Sequence, residues 1–187
     1  KWFRAAAEQG DVWGQFGLAT CYREVASIRN YEEAAKWYRA AAEQNHLTAQ
    51  CYLGMCYLEG IGVPQDYGKA FEWIRKPAEL EVPKAQLLLG QFYLNGIGVA
   101  KDHDKAFEWI YKSAKQKDSE GQVELGRCYL NGIGVSKDHD KAFEWIRKSA
   151  EQGAAIGQFE LGKCYLNGIG VKTNEKAAFD LFCKAAK

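Results

Sequence analysis

Residues 94–99 read Leu-Asn-Gly-Ile-Gly-Val, and the same six letters return at 130–135 and 166–171, with 58–63 differing only by Glu59. The starts at 94, 130 and 166 set a period of 36 residues. The flanks keep that beat. Leu-Gly recurs at 53–54, 89–90, 125–126 and 161–162, and tryptophan at Trp2, Trp37, Trp73, Trp109 and Trp145, with Leu181 in the last copy. Self-similarity at a period between 20 and 50 residues marks a stack of supersecondary units that bury their apolar faces on one another.

Each unit holds two helical patterns. In residues 83–94, Ala85, Leu88, Leu89, Phe92 and Tyr93 fall at i, i+3, i+4, i+7 and i+8, one apolar stripe of a helix, here helix A. In residues 102–116, Ala106, Trp109, Ile110 and Ala114 make a second stripe behind Asp102 as N-cap, here helix B. Gly96 supplies the left-handed residue that ends helix A, and Gly98 a second tight turn. The short link makes A and B antiparallel neighbours, and Pro83 suits the first turn of the next A helix. The expected fold is all-α: a right-handed α-solenoid of antiparallel helix pairs forming one domain over 1–187. A leading B helix (1–10) precedes A/B pairs at about 11–45, 46–81, 82–117, 118–153 and 154–187. The chain opens at Lys1, already inside a helical pattern, and is expected to be a piece of a longer array. On this reading Trp109→Ala removes a core side chain at a cost of roughly 3–5 kcal/mol.

Composition excludes some roles. With 25 basic and 24 acidic residues interspersed, net charge +1, there is no basic stripe for phosphates, so no nucleic acid is expected. No stretch approaches the roughly 18 consecutive apolar residues of a membrane span, so no membrane insertion is expected.

The run Ala-x-x-x-Leu-Gly-x-x-Tyr-x-x-Gly-x-Gly-Val-x-x-Asp-x-x-Lys-Ala-x-x-Trp-x-x-Lys, standing here from Ala85 to Lys112, resembles the Sel1-like repeat, a relative of the tetratricopeptide repeat. The resemblance extends over the whole chain. Two departures stand out. The first unit has Ala19 for the Leu-Gly glycine and residues 24–29 in place of the glycine loop, and Pro77 falls inside a B helix that it should kink or shorten. The resemblance implies a protein–protein interaction scaffold or adaptor, not an enzyme. It also supplies an alternative, since some bacterial relatives have been linked to β-lactam binding or hydrolysis.

The residues themselves offer little chemistry. Cys21, Cys56, Cys128 and Cys164 share one helix-A position, Phe92 filling it in the third unit, and neighbouring packed helices hold such positions too far apart for a disulfide. Cys51 and Cys183 stand apart from them. The disulfide-rich relatives carry a second regular helix-B cysteine that is absent here. Free thiols and a reducing, cytoplasmic home are expected, the periplasm or secretion remaining alternatives. Asp102-His103-Asp104 and Asp138-His139-Asp140 read as first-turn caps with solvent-facing histidines, and His46 as a loop residue. No catalytic residue, metal site or cofactor is expected. Gln15, Gln50, Gln86, Gln122 and Gln158 occupy one helix-A position, as a ladder to backbone groups or as ligand readers.

In the tetratricopeptide fold helix A lines the concave face, so the resemblance carries a binding groove onto Trp13, Phe16, Cys51, Met55, Leu87, Gln91, Val123, Arg127, Phe159 and Lys163. Phe16, Cys51, Leu87, Val123 and Phe159 form either an apolar groove floor or a row half buried by neighbouring A helices. The expected partner is another protein or peptide segment, extended or helical, with Arg127 and Lys163 favouring acidic character. Phe179, Leu181 and Phe182 at the last helix raise end-to-end self-association as a further expectation.

Overall fold

The computed structural model describes residues 2–186, and among them every regular element is helical. The chain divides into two compact units, the first running to Ala85 with Ile97–Val99, the second comprising Gln86–Gly96 and the residues from Ala100 onward.

The first unit contains α1 (Trp2–Glu8), α2 (Val12–Glu24), a 3-10 turn (Ala26–Ile28), α3 (Tyr31–Glu43), α4 (Leu47–Glu59) and α5 (Tyr67–Glu79). The second is built on α6 (Pro83–Asn95), α7 (His103–Lys115), α8 (Ser119–Asn131), α9 (His139–Glu151), α10 (Ala155–Asn167) and α11 (Glu175–Ala185). Side-chain caps start the B helices. Asp66, Asp102, Asp138 and Asn174 each accept the backbone N–H three residues on at 2.9 Å, and Asn30 does so at 3.1 Å. Those bonds hold the Asp102 and Asp138 carboxyls below the usual carboxylate range, the Lys105 and Lys141 amides being the largest cause. His103 and His139 are exposed beside them.

Leu-Gly brings A and B together. A Cβ at Gly126 would lie 2.6 Å from Ile146, and one at Gly54 2.7 Å from Ile74, so these glycines let the B-helix isoleucine seat on the A-helix backbone. Ile74, Ile110 and Ile146 are fully buried. The conspicuous tryptophans are not. Trp109 and Trp145 are half-buried, with Lys112 and Lys148 ammoniums 4.1 and 4.0 Å from their ring centroids. The core role expected of Trp109 therefore belongs to Ile110, because a side chain one residue along points straight at the A helix.

Two other expectations change. Pro77 does not shorten α5, which keeps the 13 residues of α7 and α9; in the last turn it removes one backbone donor while its ring is buried. In the first unit the 3-10 turn replaces the glycine loop, yet the Asn30 N–H still closes on the Tyr22 carbonyl at 2.9 Å, as Asp66 does on Tyr57.

The glutamines form a ladder with a regular rule. Gln122 donates to the Ala114 carbonyl (3.4 Å) and accepts from Gln152 (2.7 Å); Gln15 and Gln86 accept from Gln44 and Gln116. Gln50 donates to the Ala42 carbonyl at 3.0 Å, but its Oε1 is buried without a partner. The reason is one substitution: where Gln44, Gln116 and Gln152 stand, the intervening unit has Leu80, which is exposed. Leu80→Gln is expected to complete the bond and stabilise the protein by about 0.5–1.5 kcal/mol. Urea denaturation of the two proteins measures this, and an unchanged or lower midpoint would refute it.

Candidate functional site

In the first unit α2, α3 and α4 gather a row of rings. Trp13 meets His46 edge-on and Phe16 stacks on it, both with centroids 4.6 Å apart; Phe16 also stacks on Tyr52 at 5.9 Å, and Tyr52 on Tyr38 at 5.2 Å. Thr20 donates to the Phe16 carbonyl at 3.0 Å, so the Tyr38 hydroxyl 3.4 Å away is the donor to Thr20. The Arg23 guanidinium lies 4.1 Å from the Tyr52 centroid and pairs with Glu24 at 2.6 Å. Trp13 is 67% exposed at one end of the row. At the other end a cleft of about 480 Å³ opens, with Arg23, Arg29, Tyr31, Tyr52, Met55 and Glu59 in its walls.

His46 is a structural member of this row, not a free loop residue. It stands at the N-cap of α4, where Asp11 and Asp118 cap α2 and α8, and its Nδ1 accepts the Ala49 amide at 3.1 Å. That role requires an unprotonated Nδ1, which places the proton on Nε2, a buried atom without a partner. Burial lowers its pKa below the ordinary histidine value. The unfolded chain then binds the extra proton first, so stability is constant above the unfolded pKa of about 6.5 and is lost as pH falls toward the folded value. Urea midpoints at neutral and mildly acidic pH should show a larger acid loss in wild type than in His46→Asn, whose cap does not titrate; equal losses would refute the role.

In the second unit α8 and α10 carry charge where α2 and α4 carry rings. Glu160, itself buried, binds Arg127 at 2.7 Å and Lys163 at 2.8 Å, and Arg127 also pairs with Glu124 at 2.6 Å. Burial raises the Glu160 pKa, but the Lys163 and Arg127 bonds outweigh it, leaving the carboxyl below its usual value. Arg127 and Lys163 are thus already neutralised within the fold, which corrects the expectation that they select an acidic partner.

The apolar row is corrected as well. Leu87 (1% exposed) and Val123 (0%) are core residues, and Cys51 is buried with its thiol pushed up to about 11. The helices packed around these positions cover them, α10 lying beside α8 at Val123, so the three are inaccessible to a partner. Phe16, Met55, Gln91, Arg127 and Lys163 are half-buried, while Phe159 is 49% exposed and packs on Phe182 at 5.5 Å. The ten positions therefore do not make one apolar floor. Along the ring row of the first unit, the accessible aromatic surface is that of Trp13, with Tyr52 and Arg23 in support. Tyr52 stands where Leu88, Glu124 and Glu160 stand in the later units, a difference visible in the repeat register. The six cysteines are free, and burial pushes the Cys56, Cys128 and Cys164 thiols up to about 11, 12 and 11, away from nucleophilic thiolate.

The Sel1 repeat model matches at residues 1–11, 14–46, 47–81, 83–118, 119–153 and 155–187. The chain belongs to the Sel1-repeat family. Its helix pairs are those of a Sel1-repeat solenoid with units of about 36 residues. A Sel1 repeat protein of Oxalobacter formigenes is 36% identical with a TM-score of 0.94, over 100% of this chain and 75% of that one. A protective antigen of uropathogenic Escherichia coli is 35% identical with a TM-score of 0.85 over 99% of this chain. This Sel1-repeat chain spans 40% of that antigen's length. Helicobacter pylori cysteine-rich protein B is 28% identical, covering 69% of this chain and 96% of its own, with a TM-score of 0.54. No curated protein matches. Sel1-repeat proteins are typically non-enzymatic scaffolds that mediate protein–protein interactions.

Proposed function

We propose that this Sel1-repeat chain is an adaptor that holds a segment of another protein against the helix-A face of its first unit. The observation that carries the reading is the ring row from Trp13 to Tyr52, exposed at Trp13 and open to the cleft beside Met55. A large exposed indole on a rigid aromatic support loses little conformational freedom when it is covered, which is the usual anchor of a protein interface. The segment presents apolar side chains to Trp13, Phe16 and Met55, and Arg23 offers a guanidinium whose position is held by Tyr52 and Glu24. Gln91, Arg127, Phe159 and Lys163 form the A-helix surface of the second unit as a secondary contact in this reading. The free thiols, Cys51, Cys56, Cys128 and Cys164 of them buried, support a reducing compartment, and we place the chain in the cytoplasm on that ground.

The test is site-specific photocrosslinking in lysate of the source organism, with a benzophenone side chain at Met55 or at Glu72, an exposed residue of a B helix. Discrete adducts are expected at Met55, absent at Glu72 and abolished by Trp13→Glu, which leaves the fold intact because Trp13 is mostly exposed. Equal adducts at both positions, or adducts indifferent to Trp13→Glu, would reject this face.

A further inference from the structure

A second site is built in the second unit, sharing no residue with the face proposed above. A cleft of about 450 Å³ lies where the end of α7, α8 and α9 meet. Lys115 and Lys117 form one wall, Trp145 and Lys148 the other, and the hydrogen-bonded Gln122–Gln152 pair also lines it. Its single carboxylate, Glu151, faces the Arg147 Nε at 3.7 Å. None of Lys115, Lys117 and Lys148 has an ion-pair partner among the described residues; Lys148 is held 4.0 Å from the Trp145 ring centroid and Lys115 5.8 Å from that of Tyr111. Three unneutralised ammoniums around one concavity make a local positive field in a chain whose net charge is only +1.

The repeat register shows that the pairing of Lys115 with Lys117 departs from the neighbouring units. Where Lys115 stands, the two preceding units and the following one carry Glu43, Glu79 and Glu151, and the last unit carries Lys187; where Lys117 stands, the same three units carry Asn45, Glu81 and Gly153. Relative to the units on either side, this one has reversed the sign of its helix-B terminus. Lys117 also sits in the left-handed region (φ 66°), which Asn45 and Gly153 occupy with less strain, so lysine is held there at a conformational cost. The C-terminal helix dipole favours Lys115 but does not dictate it, because the same dipole is present in the units that carry glutamate there.

We infer that this cleft binds an acidic protein segment, its carboxylates meeting Lys115, Lys117 and Lys148. Charge complementarity selects the partner: the lysines are point cations grouped about a short pocket with an indole and a neutral amide pair, not a stripe along which a phosphate backbone runs.

The probe is a fluorescein-labelled peptide Glu-Glu-Glu-Phe-Glu-Glu-Glu, followed by fluorescence polarisation at low and at physiological salt. The variant Lys115→Glu/Lys117→Glu copies the residues that a sibling unit has at Glu79 and Glu81, so the backbone already accommodates them. It is expected to bind at least about tenfold more weakly, with unchanged helicity and melting. Lys148→Gln, in the last turn of α9 and so on a different helix from Lys115, gives an independent loss of several-fold. The control Lys172→Glu/Lys176→Glu makes the same change in net charge elsewhere and keeps wild-type affinity. Absence of peptide binding by wild type, an equal loss in the control, or tighter binding of single-stranded oligothymidylate of equal charge at the same lysines would overturn the inference. The Met55 crosslinks are unaffected by these variants, so the two proposals fail separately.

Discussion

Gly134→Ala is expected to lower stability by roughly 2–5 kcal/mol, far more than a methyl group on a surface loop ordinarily does. Two causes add. Gly134 has φ 62°, which costs an L side chain about 1–2 kcal/mol. A Cβ there would also run into the His103 carbonyl and lie 2.7 Å from the Phe107 Cβ, at the first turn of α7. Backbone cannot swing aside as a side-chain tip does, so relieving the clash costs about 1–3 kcal/mol of displaced packing. Gly153→Ala separates the causes, because Gly153 has φ 80° but nothing within 4 Å of the added carbon. It should lose only the conformational part. Thermal melts of both variants against wild type measure the difference, and equal losses would show that the close approach has no energetic weight. Gly62 repeats the arrangement against the Tyr31 carbonyl in the first unit.

Ile146→Ala is expected to cost in the upper half of roughly 2–5 kcal/mol, and Trp145→Ala about 1–3 kcal/mol despite the larger side chain. Ile146 is fully buried among Phe143, Ala150, Leu161 and Cys164, and Gly126 leaves no side chain there that relaxes into the space it vacates. Trp145 is half-buried, and the Lys148 side chain that lies over its face is long enough to cover part of the surface when the ring is gone. Urea denaturation of the pair checks the order. A larger loss for Trp145→Ala would mean that the indole, and not the isoleucine, anchors helix B on helix A.

The helix pairs, their caps and their glycine stops were legible in the sequence because each depends on chemistry within a few residues. Asp102 caps α7, Gly96 ends α6, and Gln122 bonds a carbonyl of the preceding B helix, all as the 36-residue register indicates. Leu80 shows the same register exposing a defect, since the missing amide leaves Gln50 Oε1 unpaired. The candidate site was legible only as a list of positions. Trp13 and Phe16 belong to the expected groove, but no periodicity joins them to His46 in the inter-helix link, to Tyr52, to Tyr38 or to Arg23, which ring stacking brings together. Val123 and Leu87 are buried against the groove expectation for the complementary reason: a helical pattern tells which side chains share a stripe, not whether a neighbouring helix covers it.

By itself, then, the sequence determined the repeat, the family, the local ends of each helix and the reversal of charge at Lys115 and Lys117, all properties of short-range chemistry repeated at fixed spacing. Tertiary structure decided which side chains are covered, that Glu160 neutralises Arg127 and Lys163, and that lysines from two helices and a turn enclose one cleft. Burial and electrostatic pairing are set by distances between helices, and those exist only once the chain has packed.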